Sequence, residues 1–186
     1  FNSIYLLGNE RCRRVMSVFG WSKSFGIAGM RIGCVYTTDP ALFEGMVEKS
    51  DVMSTAGGIS SLSQIAGTAC MHNYDWVDAF LVHLKGNRDY AVDRLKHMPL
   101  VKAYAPRATY LLYVDIRAFG MKSEDFTDYM KQKVKLALVS GGEKFFGQGS
   151  EGYIRICFAT SRGILEEGLN RLEQGIRMLM EEKGLH

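Results

Sequence analysis

Between Ser60 and about Met98, polar residues alternate with the apolar positions Ala79, Phe80, Val82, Leu84, Tyr90, Ala91, Val92 and Leu95, interrupted only by Gly67 and Gly86. That composition predicts one bent helix or two, packed on more than one neighbour. Upstream the pattern is shorter. "RVMSVFG", Arg14 to Gly20, is an apolar run of strand length and predicts a buried strand that delivers the chain into a turn, placing Lys23 at a strand's end. "MRIGCVYTTDP" predicts a second strand, stopped by Asp39 and Pro40, and Pro40 suits the first position of a helix through "ALFEGMVEKS".

Past Pro99, "TYLLYVDIR", Thr109 to Arg117, is dense in β-formers and predicts a strand. A helix should follow, capped by Ser123, with Glu124 and Asp125 in its electropositive first turn, reaching about Lys135. "LALVS" and "YIRICFA" then read as strands. In the second, Ile154, Ile156 and Phe158 alternate with Tyr153, Arg155 and Cys157, so Arg155 faces away from the apolar side. Gly141, Gly142, Gly147, Gly149 and Gly152 between these strands read as turns. Leu165, Leu169, Leu172, Ile176 and Leu179 form one stripe on a closing helix. Strands and helices alternate throughout, so the fold class is α/β.

With 186 residues, 47% of them apolar and 11% aromatic, the chain can bury a real core. Its net charge of +3 comes from 23 basic and 20 acidic residues spread along the chain, without a polybasic tail for nucleic acid or membrane. No apolar run reaches the roughly 18 residues of a membrane helix. Cys12, Cys34, Cys70 and Cys157 are isolated, which predicts buried or half-buried reduced thiols and a cytoplasmic setting. His72, His83 and His97 lack metal-ligand spacing, so no metal is expected, and the ten methionines read as core filler.

The chemistry concentrates in "GWSKSFGIAGMRIG", Gly20 to Gly33. A phosphate-cradling P-loop needs glycine directly before its lysine, and Ser22 occupies that place. What remains is a lysine in apolar company, where desolvation would leave a nucleophilic amine. Such an amine suits a Schiff base with an aldehyde cofactor. Pyridoxal phosphate is the obvious one, and its phosphate needs anchors. Arg31 can fork two hydrogen bonds onto phosphate oxygens, and the Ser22 hydroxyl can donate another.

At these residues "SKSFGIAGMRIG" resembles the cofactor-lysine signature of class I/II aminotransferases, fold-type I pyridoxal phosphate enzymes. The resemblance implies that Lys23 bonds the cofactor and shuttles the catalytic proton, while Ser22 and Arg31 hold its phosphate. "TYLLYVDIR", "LALVSGGEKFFGQGSEGYIRICFAT" and the leucine-striped helix resemble the small domain of the same family. They imply that Arg155 clamps the substrate α-carboxylate. Where the family often has Ser or Thr three residues before the lysine, this chain has Gly20.

The resemblance covers only the later part of the family's pattern and implies the C-terminal part of a PLP-dependent transferase-like fold. Residues 1–75 would end the large cofactor-binding domain. Residues 76–186 would form the small domain with a long interdomain helix. Only 22 residues precede Lys23, so the expected parent is an enzyme about twice this size, a homodimer acting on an amino acid and a 2-oxo acid. The cystathionine beta-lyase-like subgroup is similar as well, which leaves a carbon–sulfur β-lyase as the alternative enzyme. An aminotransferase-like sensing domain of a regulator is the alternative outside enzymes.

Overall fold

In the computed structural model, which describes residues 3–50, 52 and 58–185, the chain divides into two units, Phe1–Phe80 and Leu81–His186. The first opens with a 3-10 turn, Ile4–Leu7, and a four-residue helix α1 (Asn9–Cys12). Strands β1 (Ser17–Gly20) and β2 (Gly33–Tyr36) then pair antiparallel, from Ser17 opposite Tyr36 to Gly20 opposite Gly33. Their connection holds a one-turn helix α2 (Trp21–Ser24) and a 3-10 turn, Ala28–Met30. The strand–turn–strand reading is therefore right. Lys23 lies on α2, three residues beyond the strand rather than at its end. The expected burial of the first strand is wrong: β1 is mostly exposed, with Val18 at 81%. A two-strand ribbon has two faces, and the described residues of this unit do not cover both.

Helix α3 (Pro40–Ser50) starts at Pro40 as the sequence suggests, because proline lacks only a hydrogen that the first turn leaves unpaired. Asp39 Oδ1 caps it by accepting from the Leu42 amide at 3.0 Å. The long helical stretch is two helices, α4 (Ser61–Met71) and α5 (Tyr74–Lys96), broken at His72 and Asn73. Neither Gly67 nor Gly86 breaks the chain. At Gly67 a Cβ would stand 2.7 Å from Ile32 Cδ1, so glycine serves close packing there.

The second unit is built on an antiparallel sheet of β3 (Leu111–Asp115), β5 (Tyr153–Cys157) and β4 (Val139–Ser140), with β5 in the middle. Helices α6 (Ser123–Val134) and α8 (Arg162–Lys183) share its core with the later turns of α5. Leu112 and Val114 from β3, Ile154 and Ile156 from β5, and the whole leucine stripe of α8 are buried together. Each such aliphatic side chain contributes about 1.5–3 kcal/mol through removal from water. Gly175 lets α8 approach α6: a Cβ there would run into Met130 Sδ.

Ser123 departs from its expected role as cap. Lys122 is the capping position and makes no side-chain cap bond. Ser123 is the first helical residue, buried, and its hydroxyl accepts from the amides of Gly152 at 2.9 Å and Tyr153 at 3.0 Å. The Glu151 carboxylate does the capping, accepting from the Ser123 amide. That contact, the largest effect, and a further bond from the Ser123 hydroxyl hold the Glu151 carboxyl below its usual range. The glycine segment reads correctly as turns, with Gly147, Gly149 and Gly152 at positive φ, around a one-turn helix α7 (Glu143–Phe146). Cys12 and Cys70 are buried and Cys34 half-buried, but Cys157 is exposed, because it lies on the face of β5 that turns away from the core.

Candidate active site

Lys23 and Arg31 both belong to the β1–β2 connection, and the pairing of Gly20 with Gly33 closes that connection at its base. A Cβ on Gly33 would sit 3.0 Å from Phe19 O, so the strands converge where glycines occupy both sides. The spacing between amine and guanidinium thus becomes two points on one closed loop. Trp21 anchors the first point: it is buried and packs edge-on against Phe19, ring centroids 5.5 Å apart. Ser63 on α4 anchors the second, donating from its buried hydroxyl to Met30 O at 2.6 Å. Nothing in the sequence pattern marks Ser63, because a serine inside an amphipathic helix usually turns its hydroxyl to water.

Arg31 itself is held at φ 50°, in the left-handed region that residues with a Cβ seldom occupy, at a cost of about 1–3 kcal/mol. Lys23 is exposed, so the apolar enclosure expected around its amine is not supplied by the described residues. Ser22 and Ser24 beside it are half-buried. Gly20, as the residue before α2, leaves that turn without a side-chain cap.

Between residues 11 and 38 the chain has no Asp or Glu, while Arg11, Arg13, Arg14, Lys23 and Arg31 all fall there. Among the described residues neither Lys23 nor Arg31 has an ion-pair partner within 4.0 Å. The connection therefore offers donors and positive charge with no acceptor carboxylate, a set suited to a multiply charged anion such as a phosphate. An amine, a guanidinium and a hydroxyl are the groups that the expected aldehyde phosphate would need, so the residues present are compatible with it.

Arg155 belongs to the second unit and sits mid-strand on β5, opposite Tyr113 on β3 and Val139 on β4. It is half-buried, on the face away from the core, as the period of two requires. Its guanidinium carbon is 6.0 Å from the Phe146 ring, and no carboxylate pairs with it among the described residues. Nearby Arg117 is by contrast consumed by Asp115, bonding from Nε at 3.0 Å and Nη2 at 2.7 Å. That fork is the main cause of the low Asp115 pKa. A guanidinium left unpaired over an aromatic ring can take up a carboxylate from outside. Sequence reading missed Tyr113 and Phe146 as neighbours of Arg155. The alternation in "TYLLYVDIR" puts Tyr113 on the outer face, but only the strand register sets it opposite Arg155.

Residues 2–172 match the family described as aminotransferase class I and II. The chain belongs to the class I and II aminotransferases. Among curated members, the aspartate aminotransferase of Pyrococcus horikoshii is 31% identical over 159 residues, covering 84% of this chain and 39% of that protein. Cystathionine beta-lyase PatB of Bacillus subtilis is 28% identical over 163 residues, covering 83% and 40%. The chain thus spans about two fifths of the length of these aminotransferase-family relatives.

Of solved structures, an aromatic aminotransferase from Pyrococcus horikoshii aligns with TM-score 0.77 at 26% identity, covering 96% of this chain and 46% of that one. Cystalysin from Treponema denticola, which contains a pyridoxal 5'-phosphate cofactor, aligns with TM-score 0.80 over 93% of this chain and 44% of its own. At 24% identity that likeness is one of fold.

Proposed function

We propose that the protein to which this chain contributes is a pyridoxal phosphate-dependent aminotransferase, moving an amino group between an amino acid and a 2-oxo acid. Residues 1–75 would supply the later part of its cofactor-binding domain, and residues 76–186 its small domain. The observation that carries the reading is the donor-only β1–β2 connection, with Lys23 exposed and Arg31 fixed in a strained conformation at its two ends. When bound, pyridoxal phosphate supplies an aldehyde carbon and an electron-withdrawing ring.

Lys23 would hold the cofactor through Nζ, and the same atom, once released, would accept and return the proton at the substrate Cα. Arg31 and Ser22 would bind the phosphate and fix the cofactor's position. Arg155 would take the substrate carboxylate in a forked pair, orienting the Cα–H bond for proton removal. The parent would act as a cytoplasmic homodimer, which size-exclusion chromatography of the complete protein checks.

Incubation of the chain with pyridoxal phosphate, borohydride reduction and peptide mass mapping test the site. The expected result is one dominant adduct on Lys23, lost in Lys23→Ala and weakened in Arg31→Ala. Labelling of the complete protein at other lysines, with Lys23 unmodified, would sink the assignment. A β-lyase is the second reading, favoured by the likeness to PatB. The two part on one assay of the complete protein: a lyase releases pyruvate and ammonia over many turnovers without an amino acceptor, and an aminotransferase makes no more than one equivalent of 2-oxo acid per site, and no ammonia, until an acceptor is added.

A further inference from the structure

Tyr113 makes more contacts outside the core than any sheet register demands. Its hydroxyl bonds Gly141 O at 2.6 Å and approaches Ser150 O at 3.3 Å, so one phenol ties both ends of the glycine segment together. Its ring stacks on Tyr153 at 4.8 Å and 9°, and meets Phe146 on α7 at 5.5 Å. Phe146 in turn lies against the Arg155 guanidinium. Gly141 is shaped to this arrangement, since a Cβ there would stand 2.9 Å from the Tyr113 hydroxyl and 2.6 Å from Tyr153 O. The segment is braced within itself too. The Gly149 amide donates to Glu143 Oε1 at 3.3 Å, and the Gly142 amide to Ser140 Oγ at 3.3 Å.

We infer that Tyr113 is a positioning residue for Arg155: by holding the glycine segment closed, it keeps the Phe146 ring over the guanidinium and leaves that group one orientation in which to receive a carboxylate. The carboxylate role rests on the proposed function; the positioning does not. A guanidinium on a free side chain loses rotamer freedom whenever it binds a ligand, and a ring already against it removes part of that loss beforehand. Attraction to the ring face adds to the effect without consuming the donors, which lie in the guanidinium plane and stay free.

The test is side-chain NMR on the chain carrying 15N-arginine, with the Arg155 Nε–Hε signal assigned by its disappearance in Arg155→Lys. In the parent sequence this signal should carry a ring-current offset, and Phe146→Leu should abolish it. Tyr113→Phe keeps the ring but loses both hydroxyl contacts, and should also shift the signal toward the position of unstructured arginines. An unchanged Arg155 signal in Tyr113→Phe, whatever Phe146→Leu does, would overturn the inference. Should Tyr113→Phe fail to fold, Tyr113→Leu decides in its place, because Tyr113 is 39% exposed and holds no core. Titration with sodium acetate separates the two readings. A response weaker in both variants than in the parent supports both readings. An equal response in all three, with the offset retained, overturns the positioning. An offset lost in the variants with no acetate response in any chain leaves the positioning standing and removes the carboxylate role.

Discussion

Replacement of Ser123 by alanine should destabilise the second unit far more than the loss of one small hydroxyl suggests. The side chain is fully buried, and its oxygen accepts from two backbone amides, Gly152 and Tyr153. Gly152 keeps a second acceptor in Glu151 Oε1 at 3.3 Å, so the variant chiefly strands the Tyr153 amide. A buried donor without a partner costs about 1–3 kcal/mol. For a chain of this size that corresponds to a fall in Tm of about 2–4 °C per kcal/mol. Urea unfolding followed by far-UV circular dichroism measures the loss, with an unchanged slope expected if only stability has moved. Trp21 and Trp76 both lie in the first unit, so tryptophan fluorescence should shift less than the dichroism. Thr127→Val is the control: it too is buried, but its hydroxyl donates to Glu124 O within its own helix, so its removal strands no backbone amide and should cost less than Ser123→Ala. A comparably small effect of Ser123→Ala would refute the reasoning, since it would mean that the two amides find other acceptors.

Gly175→Ala should lower stability by about 1–2 kcal/mol in the same urea assay, because the new methyl meets the buried Met130 thioether and the overpacking outweighs alanine's better helix propensity. Glu173 receives Arg177 at 2.6 Å and Arg94 at 3.0 Å, and these two guanidinium contacts, Arg177 first, lower its pKa below the usual 4.5. Its stabilising contribution is therefore fully present above about pH 4.5 and is lost as pH falls through the lowered value; Glu173→Gln should flatten the acid limb of a stability-against-pH curve. In the complete protein, Arg155→Ala should raise KM for the amino acid by roughly 10- to 150-fold, the loss of about 1.5–3 kcal/mol of charged hydrogen bonding, read from steady-state kinetics. Arg155→Lys should restore only part of it, since an ammonium cannot fork onto a carboxylate.

Local pattern alone determined much of this chain. The leucine stripe of α8, the alternation in β5 that turns Arg155 outward, Pro40 at the head of α3 and the paired strands flanking Lys23 all follow from periodicities of 3.6 and 2 and from what proline and glycine permit. The stretch "SKSFGIAGMRIG" was enough to suggest the family by resemblance. What pattern could not decide was anything set by a partner distant along the chain. Whether Ser123 caps its own helix or receives the amides of Gly152 and Tyr153 depends on where β5 arrives. Ser63 fixes the turn before Arg31 from 33 residues away, and Tyr113 reaches 28 and 37 residues ahead to close the glycine segment. Burial of β1 escapes the pattern for the same reason: an apolar strand shows what it could bury, while the neighbour that covers it is chosen by packing. Hydrophobic period fixes which face of an element turns inward, and tertiary contact alone fixes which groups meet there.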